Sequence, residues 1–198
     1  MKKPLWVIGV DEVGRGPVAG PVAVCATAMC ITDYKKMKWG VLNDSKKMTK
    51  KGRVLWYEEV LRLRGAGKIR FAVVYRSNVF IDKKGVSLAI RESIVQALDE
   101  LSLSSDECTV LLDGSLKAPK EYTHQKTIIK GDQKEKIISL ASVIAKVSRD
   151  TKMEQLHKKY PVYHWKDNKG YGTALHYRAI LEHGPTLLHR KTFLTKIK

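Results

Sequence analysis

Apolar residues fall into five short runs, Leu5–Val10, Pro21–Met29, Ile69–Tyr75, Thr109–Leu112 and Thr127–Lys130. Several are rich in valine and isoleucine, which predicts strands. Three longer stretches, Arg53–Leu63, Val86–Leu101 and Lys134–His157, read as helices. In the second, Ile90, Ile94, Leu98 and Leu101 recur at helical spacing and draw one apolar stripe. Asp132 followed by Glu135 predicts a capping arrangement for the third. Strands come first and then alternate with helices, the order of an α/β layer fold with a mixed sheet. From Tyr160 onward aromatic, histidine, glycine and basic residues intermix, which predicts loop and short helix near a working surface. No repeat or linker interrupts the pattern, so one domain over residues 1–198 is expected.

Where the first run ends, the chain reads Asp11-Glu12-Val13-Gly14-Arg15-Gly16. Adjacent ionised carboxylates repel, so they need either full solvation or a compensating cation. Successive strand residues face opposite ways, so both acids reach one site only where the strand ends or bends, as the glycines allow. Asp113-Gly114 closes the fourth run in the same way. An aspartate there is also an ordinary turn residue. Open α/β sheets nevertheless place ligands at strand ends, where Asp11 and Asp113 would face each other. Asp150 shares a side of the third helix with Val143 and Val147, which turns it toward the sheet. The alternative is an ion pair with Lys146, one turn back.

Gly14, Gly16 and Ala19 formally fit a dinucleotide-binding pattern, but the Gly-Pro pairs at 16–17 and 20–21 lead into a strand, and two acids would repel a pyrophosphate. The six histidines show no zinc-ligand spacing and no nucleophile elbow is present, so the acids are the strong route to chemistry. Ser45-Lys46 is either a solvated turn or a phosphate clamp. Tyr171, between two glycines, is either a core ring or one that stacks on a base or sugar.

The formal charge of +17, from 37 basic and 20 acidic residues, points to a polyanionic partner, and nucleic acid is the usual one. Cys25, Cys30 and Cys108 lack metal or disulfide spacing and read as buried thiols of a reducing compartment. The apolar runs are too short for a leader peptide or a bilayer span, so a cytoplasmic protein with no membrane partner is expected.

Several segments together resemble type 2 ribonuclease H, the ribonuclease HII family. They are Asp11 to Val22, Asp44-Ser45-Lys46-Lys47, Leu112-Asp113-Gly114, Lys130-Gly131-Asp132, Ala141 to Asp150, Lys169 to Thr173 and His189 to Phe193. They run in family order across nearly the whole chain; the first and the 141–150 segment are the specific ones. Val13 stands where the family often has alanine. The resemblance implies an RNase H-like fold, with a mixed five-stranded sheet flanked by helices and a helical C-terminal part. It implies a catalytic and metal-binding quartet of Asp11, Glu12, Asp113 and Asp150 holding two Mg²⁺ or Mn²⁺ ions. It assigns Gly14, Arg15 and Gly16 to the 2′-hydroxyl and adjoining phosphate, Tyr171 to the junction sugar, and Ser45 and Lys46 to the backbone. The implied activity of this expected monomer is endonucleolytic cleavage of RNA–DNA hybrids, and 5′ to ribonucleotides in duplex DNA, leaving 3′-hydroxyl and 5′-phosphate ends. A non-catalytic nucleic-acid-binding protein and an RNase H-like nuclease acting on DNA are the alternatives.

Overall fold

The computed structural model describes residues 4–40 and 48–195. Five strands, β1 (Trp6–Val13), β2 (Val22–Cys30), β3 (Ile69–Arg76), β4 (Cys108–Asp113) and β5 (Gln125–Ile128), form one mixed sheet in the order β3-β2-β1-β4-β5. The first three are antiparallel neighbours, whereas β4 and β5 run parallel to β1. Strand β2, the interior strand between β3 and the central β1, is buried along almost its whole length. Helices cover both faces of the sheet, so its sequence is continuously apolar instead of alternating.

Helices α1 (Ile31–Lys36), α2 (Lys50–Gly65), α3 (Asn78–Lys84) and α4 (Val86–Glu100) precede β4; α5 (Gly131–Lys134), α6 (Lys136–Lys159), α7 (Trp165–Asn168) and α8 (Ala174–His183) follow β5. Ile90, Ile94 and Leu98 of α4 pack against Ile8 and Val10 of β1 and Leu112 of β4. On the other face, Ile137, Ala141 and Ile144 of α6, with Val60 and Leu63 of α2, pack against Val7, Cys25 and Met29. The two-residue period of β1 therefore sends positions 8 and 10 toward α4 and positions 7, 9 and 11 toward α6. Gly9 lets α6 come close: a Cβ there would lie 2.3 Å from the Ile137 carbonyl carbon. A third cluster joins Val18 and Ala19 to Met153, Tyr163, Trp165 and Ile180, and Ala19 bridges to His189.

Several boundaries differ from expectation. Strand β1 runs on through both acids to Val13 because its backbone still pairs with β2, and that pairing asks nothing of the side chains. The last strand ends at Ile128, and Lys130 adopts the left-handed conformation with φ 56°. The third predicted helix is broken at Glu135, which has an extended backbone and makes no capping bond from its side chain. The expected Asp132–Glu135 capping arrangement does not form; Asp132 lies buried within α5. Helix α2 starts three residues early because the Thr49 side chain caps it, accepting from the Gly52 N–H at 3.1 Å. All three cysteines are free, and Cys30 is partly exposed where burial was expected. Among the described residues no helix is long and apolar enough to cross a membrane.

Candidate active site

Parallel pairing of β1 with β4 stops at Val10 opposite Leu112, which makes Asp11 and Asp113 the next residues of the two strands. Both follow residues that face α4, so both side chains turn to the α6 side, one strand spacing (~4.8 Å) apart. The pocket that opens there, about 490 Å³, is walled by Asp11, Glu12 and Asp113. Asp11 is only 5% exposed; its Oδ1 accepts the Glu12 N–H at 2.8 Å, and Ser142 hydrogen-bonds its carboxylate. The Gly131 N–H donates to Asp113 Oδ1 at 2.6 Å, with the Asp132 N–H at 3.4 Å. Arg15 Nη1 donates to Glu12 Oε1 at 3.2 Å.

Burial first, then the charges of Glu12 and Asp113, hold the Asp11 carboxyl well above the usual carboxylate range. Burial raises Glu12 as well, against the opposing pull of Arg15. The three carboxylates offer oxygen donors alone, which suits a hard divalent cation. Among the described residues no three acidic, histidine or cysteine side chains already stand at ion-holding distances. The chemistry of the donors fits a metal, and the acids must draw in around it.

Asp150 does not join the other three acids on the pocket wall. Lys146 Nζ donates to its Oδ1 at 2.9 Å, so the ion pair one turn back is present. Lys146 itself lines the pocket. Positions 142, 146 and 150 follow a helical four-residue step; the sequence named Lys146 only as the ion-pair partner of Asp150 and did not single out Ser142. Arg53, from the first turn of α2, also reaches the wall and carried no signal beyond its charge. Asp132, fully buried next to Asp113 through its amide, is a further acid close to the site.

Gly14, Arg15 and Gly16 form the roof, held from behind by two buried guanidiniums. Arg190 donates to the Gly14, Arg15 and Gly20 carbonyls at 2.7, 2.8 and 3.0 Å. Burial, and then the charge of Arg149, push Arg190 down to about 9. Arg149 donates to Pro21 and Lys169, both at 2.9 Å. Gly14, at φ 92°, is the one residue type that fits here, since a Cβ would lie 2.2 Å from Arg149 Nε. Tyr171 stands across from the roof, 43% exposed, so its ring is not a core ring. A Cβ at Gly16 would sit 3.9 Å from Tyr171 Cε1.

A histidine pair fixes the tyrosine from below. Trp165 Nε1–H donates to His176 Nε2 at 3.0 Å, and His189 Nε2 lies 3.2 Å from the same nitrogen. His176 Nδ1–H then donates to the Tyr171 carbonyl at 2.8 Å, and the Thr186 N–H donates to His189 Nδ1 at 2.9 Å. This network is satisfied with both rings neutral, and a proton on His176 Nε2 would confront two donors. Burial holds both rings below the usual histidine range, His189 at about 4. Ser45 and Lys46 lie outside the described residues.

The sequence model of ribonuclease HII matches residues 8–196. The chain belongs to the ribonuclease HII family. A ribonuclease HII of Caldicellulosiruptor saccharolyticus is 42% identical over 192 residues, covering 97% of this chain and 88% of the relative. The ribonuclease H2 structure from Pyrococcus horikoshii shares the fold with a TM-score of 0.74 at 24% identity, covering 94% of this chain and 93% of that one. A structure of Bst-RNase HIII in complex with Mn²⁺ aligns with a TM-score of 0.68 at 19% identity, covering 92% of this chain and 64% of that one. Membership in the ribonuclease HII family makes this chain a ribonuclease, and the mixed sheet flanked by helices is the RNase H-like fold.

Proposed function

We propose that the chain is a divalent-metal-dependent endonuclease that cuts on the 5′ side of ribonucleotides, in RNA–DNA hybrids and in duplex DNA carrying a single ribonucleotide. The supporting observation is one pocket that joins three carboxylates to the Gly14–Gly16 roof and the exposed Tyr171 ring. Asp11, Glu12 and Asp113 would hold the ions, with Asp150, now paired with Lys146, as the fourth carboxylate they could draw on. Mg²⁺ or Mn²⁺ bound there would supply an activated water and stabilise charge on the phosphate and the leaving 3′-oxygen, giving 5′-phosphate and 3′-hydroxyl ends. Ser142 orients the Asp11 carboxylate, and the roof amides lie bare because glycine carries no side chain. A 2′-hydroxyl fits against them; it is the group that separates RNA from DNA. Tyr171 faces the next sugar, where a flat ring accepts deoxyribose. Ser45 and Lys46 would hold the backbone, together with the basic surface.

Two otherwise identical duplexes, one all-DNA and one with a single ribonucleotide, test the substrate reading in Mg²⁺ and in Mn²⁺. A single cut 5′ to the ribonucleotide is expected; equal cutting of the all-DNA duplex would overturn it. Tyr171→Ala is expected to lower kcat/KM at an RNA–DNA junction about 10-fold, within the ~1–3 kcal/mol of ring contacts to nucleotides. The loss on a uniform hybrid should be smaller, and equal losses on both substrates would remove the junction sugar from Tyr171.

A further inference from the structure

A second groove of about 500 Å³ begins on the far side of Arg15, whose side chain lines this groove and the acid pocket alike. Its rim carries Lys84 from the end of α3, Arg91 from α4 and Lys117 from the segment after β4. No acidic residue lines it, and Ser87 and Ser115 add hydroxyl donors. Among the described residues Lys84, Arg91 and Lys117 have no hydrogen-bond or ion-pair partner, unlike Arg15, which is tied to Glu12. The floor is buried apolar surface, Ile94 of α4 and Leu116. Ser87 and Arg91 stand one helical turn apart, so one edge of the groove is a stripe of α4.

Three unpaired cations around one concavity repel each other, and a polyanion that passes along them relieves that repulsion. We propose that this groove is a second binding site, which takes consecutive phosphates of the nucleic-acid duplex as it leaves the acid pocket past Arg15. The inference rests on the reading of the substrate as a nucleic-acid duplex. Phosphate contacts of this kind fix register and position and do not read sequence. The site therefore sets affinity and the placing of the cut, while the acids set the chemical rate.

The test replaces Lys84, Arg91 and Lys117 together with glutamine, which keeps the side-chain stems. A control replaces the exposed Lys158, Lys159 and Lys166, outside the groove, in the same way. Duplex binding is measured against salt in Ca²⁺ or EDTA, and cleavage in Mg²⁺. Each lost phosphate contact removes about 0.9 from the slope of log affinity on log salt, so a fall of roughly 2–3 is expected for the groove variant. The control should lose less than 1, and kcat at saturating duplex should stay within about 2-fold of wild type. Shortening the duplex arm on one side of the cut should abolish the difference in affinity between wild type and groove variant. Equal slopes for groove variant and control, or a difference that survives shortening of either arm, would overturn the site. Wild type that binds the duplex without cutting at ribonucleotides would instead overturn the substrate reading and leave the slope comparison standing.

Discussion

Replacing Asp11 by asparagine is expected to abolish cleavage while making the metal-free protein harder to melt. Losing one ligand of the ions removes several kcal/mol of transition-state stabilisation, about three decades in kcat. The stability gain follows from the direction of the Asp11 shift. Burial raises its folded-state pKa above the unfolded value of 3.8. Between those two values the folded form holds a proton that the unfolded form has released, so stability falls as pH rises through that window and stays lower above it. At neutral pH the native protein therefore carries the penalty of a buried, crowded carboxylate, and the amide relieves it. A gain of about 1 kcal/mol corresponds to roughly 2–4 °C in Tm for a chain this size. Adding Mg²⁺ or Mn²⁺ should raise the Tm of wild type more than that of the variant, because at a given concentration the more tightly bound ligand stabilises more. Melting curves at neutral pH with and without metal, beside a cleavage assay, check all three statements. Asp150→Asn should cost less activity, since Lys146 already covers that charge at 2.9 Å. An Asp11→Asn variant that cuts at full rate would remove Asp11 from the ion site, and one that melts lower without metal would overturn the buried-carboxylate penalty.

The strands, the α4 stripe and the pairing of Asp11 with Asp113 were legible because each rests on a short-range regularity. Apolar runs locate β1 and β4, and an acid directly after each run places the two side by side once the strands pair in register. Asp150 shows where periodicity runs out. Helical spacing put it on a partly apolar face, but the same four-residue step supplied Lys146 as a partner, and spacing alone does not decide between sheet and lysine. Asp132 failed as a capping residue because the chain turns at Lys130, in the left-handed conformation, and α5 starts directly after it: the Gly131 amide lies 2.6 Å from Asp113, and the Asp132 side chain is carried inward. The buried arginines were invisible for another reason. Composition places Arg149 and Arg190 among 37 basic residues that ordinarily face solvent. Their partners are backbone carbonyls of a distant loop, and nothing in the sequence announces a carbonyl left over by irregular backbone.

That loop makes Arg149→Ala the substitution with the largest expected loss of stability. Arg149 is fully buried, and its guanidinium satisfies the carbonyls of Pro21 and Lys169 at 2.9 Å, with Ala19 at 3.5 Å. Each buried carbonyl left without a donor costs about 1–3 kcal/mol, and the vacated volume adds a cavity. A total of roughly 3–5 kcal/mol, or about 10 °C in Tm, is expected. Arg149→Lys should recover only part of this, because an ammonium cannot reach three carbonyls with the geometry of a planar fork. The same bonds tie the roof of the acid pocket to the segment that bears Tyr171: Lys169 accepts from Arg149, and Gly170 accepts from the Val18 N–H at 2.9 Å. Cleavage by Arg149→Ala should therefore fall even at temperatures where it stays folded, through KM as well as kcat, as the roof and the ring lose their fixed spacing. A variant that melts within 2–3 °C of wild type and cuts at the same rate would show that the roof is held by Arg190 alone.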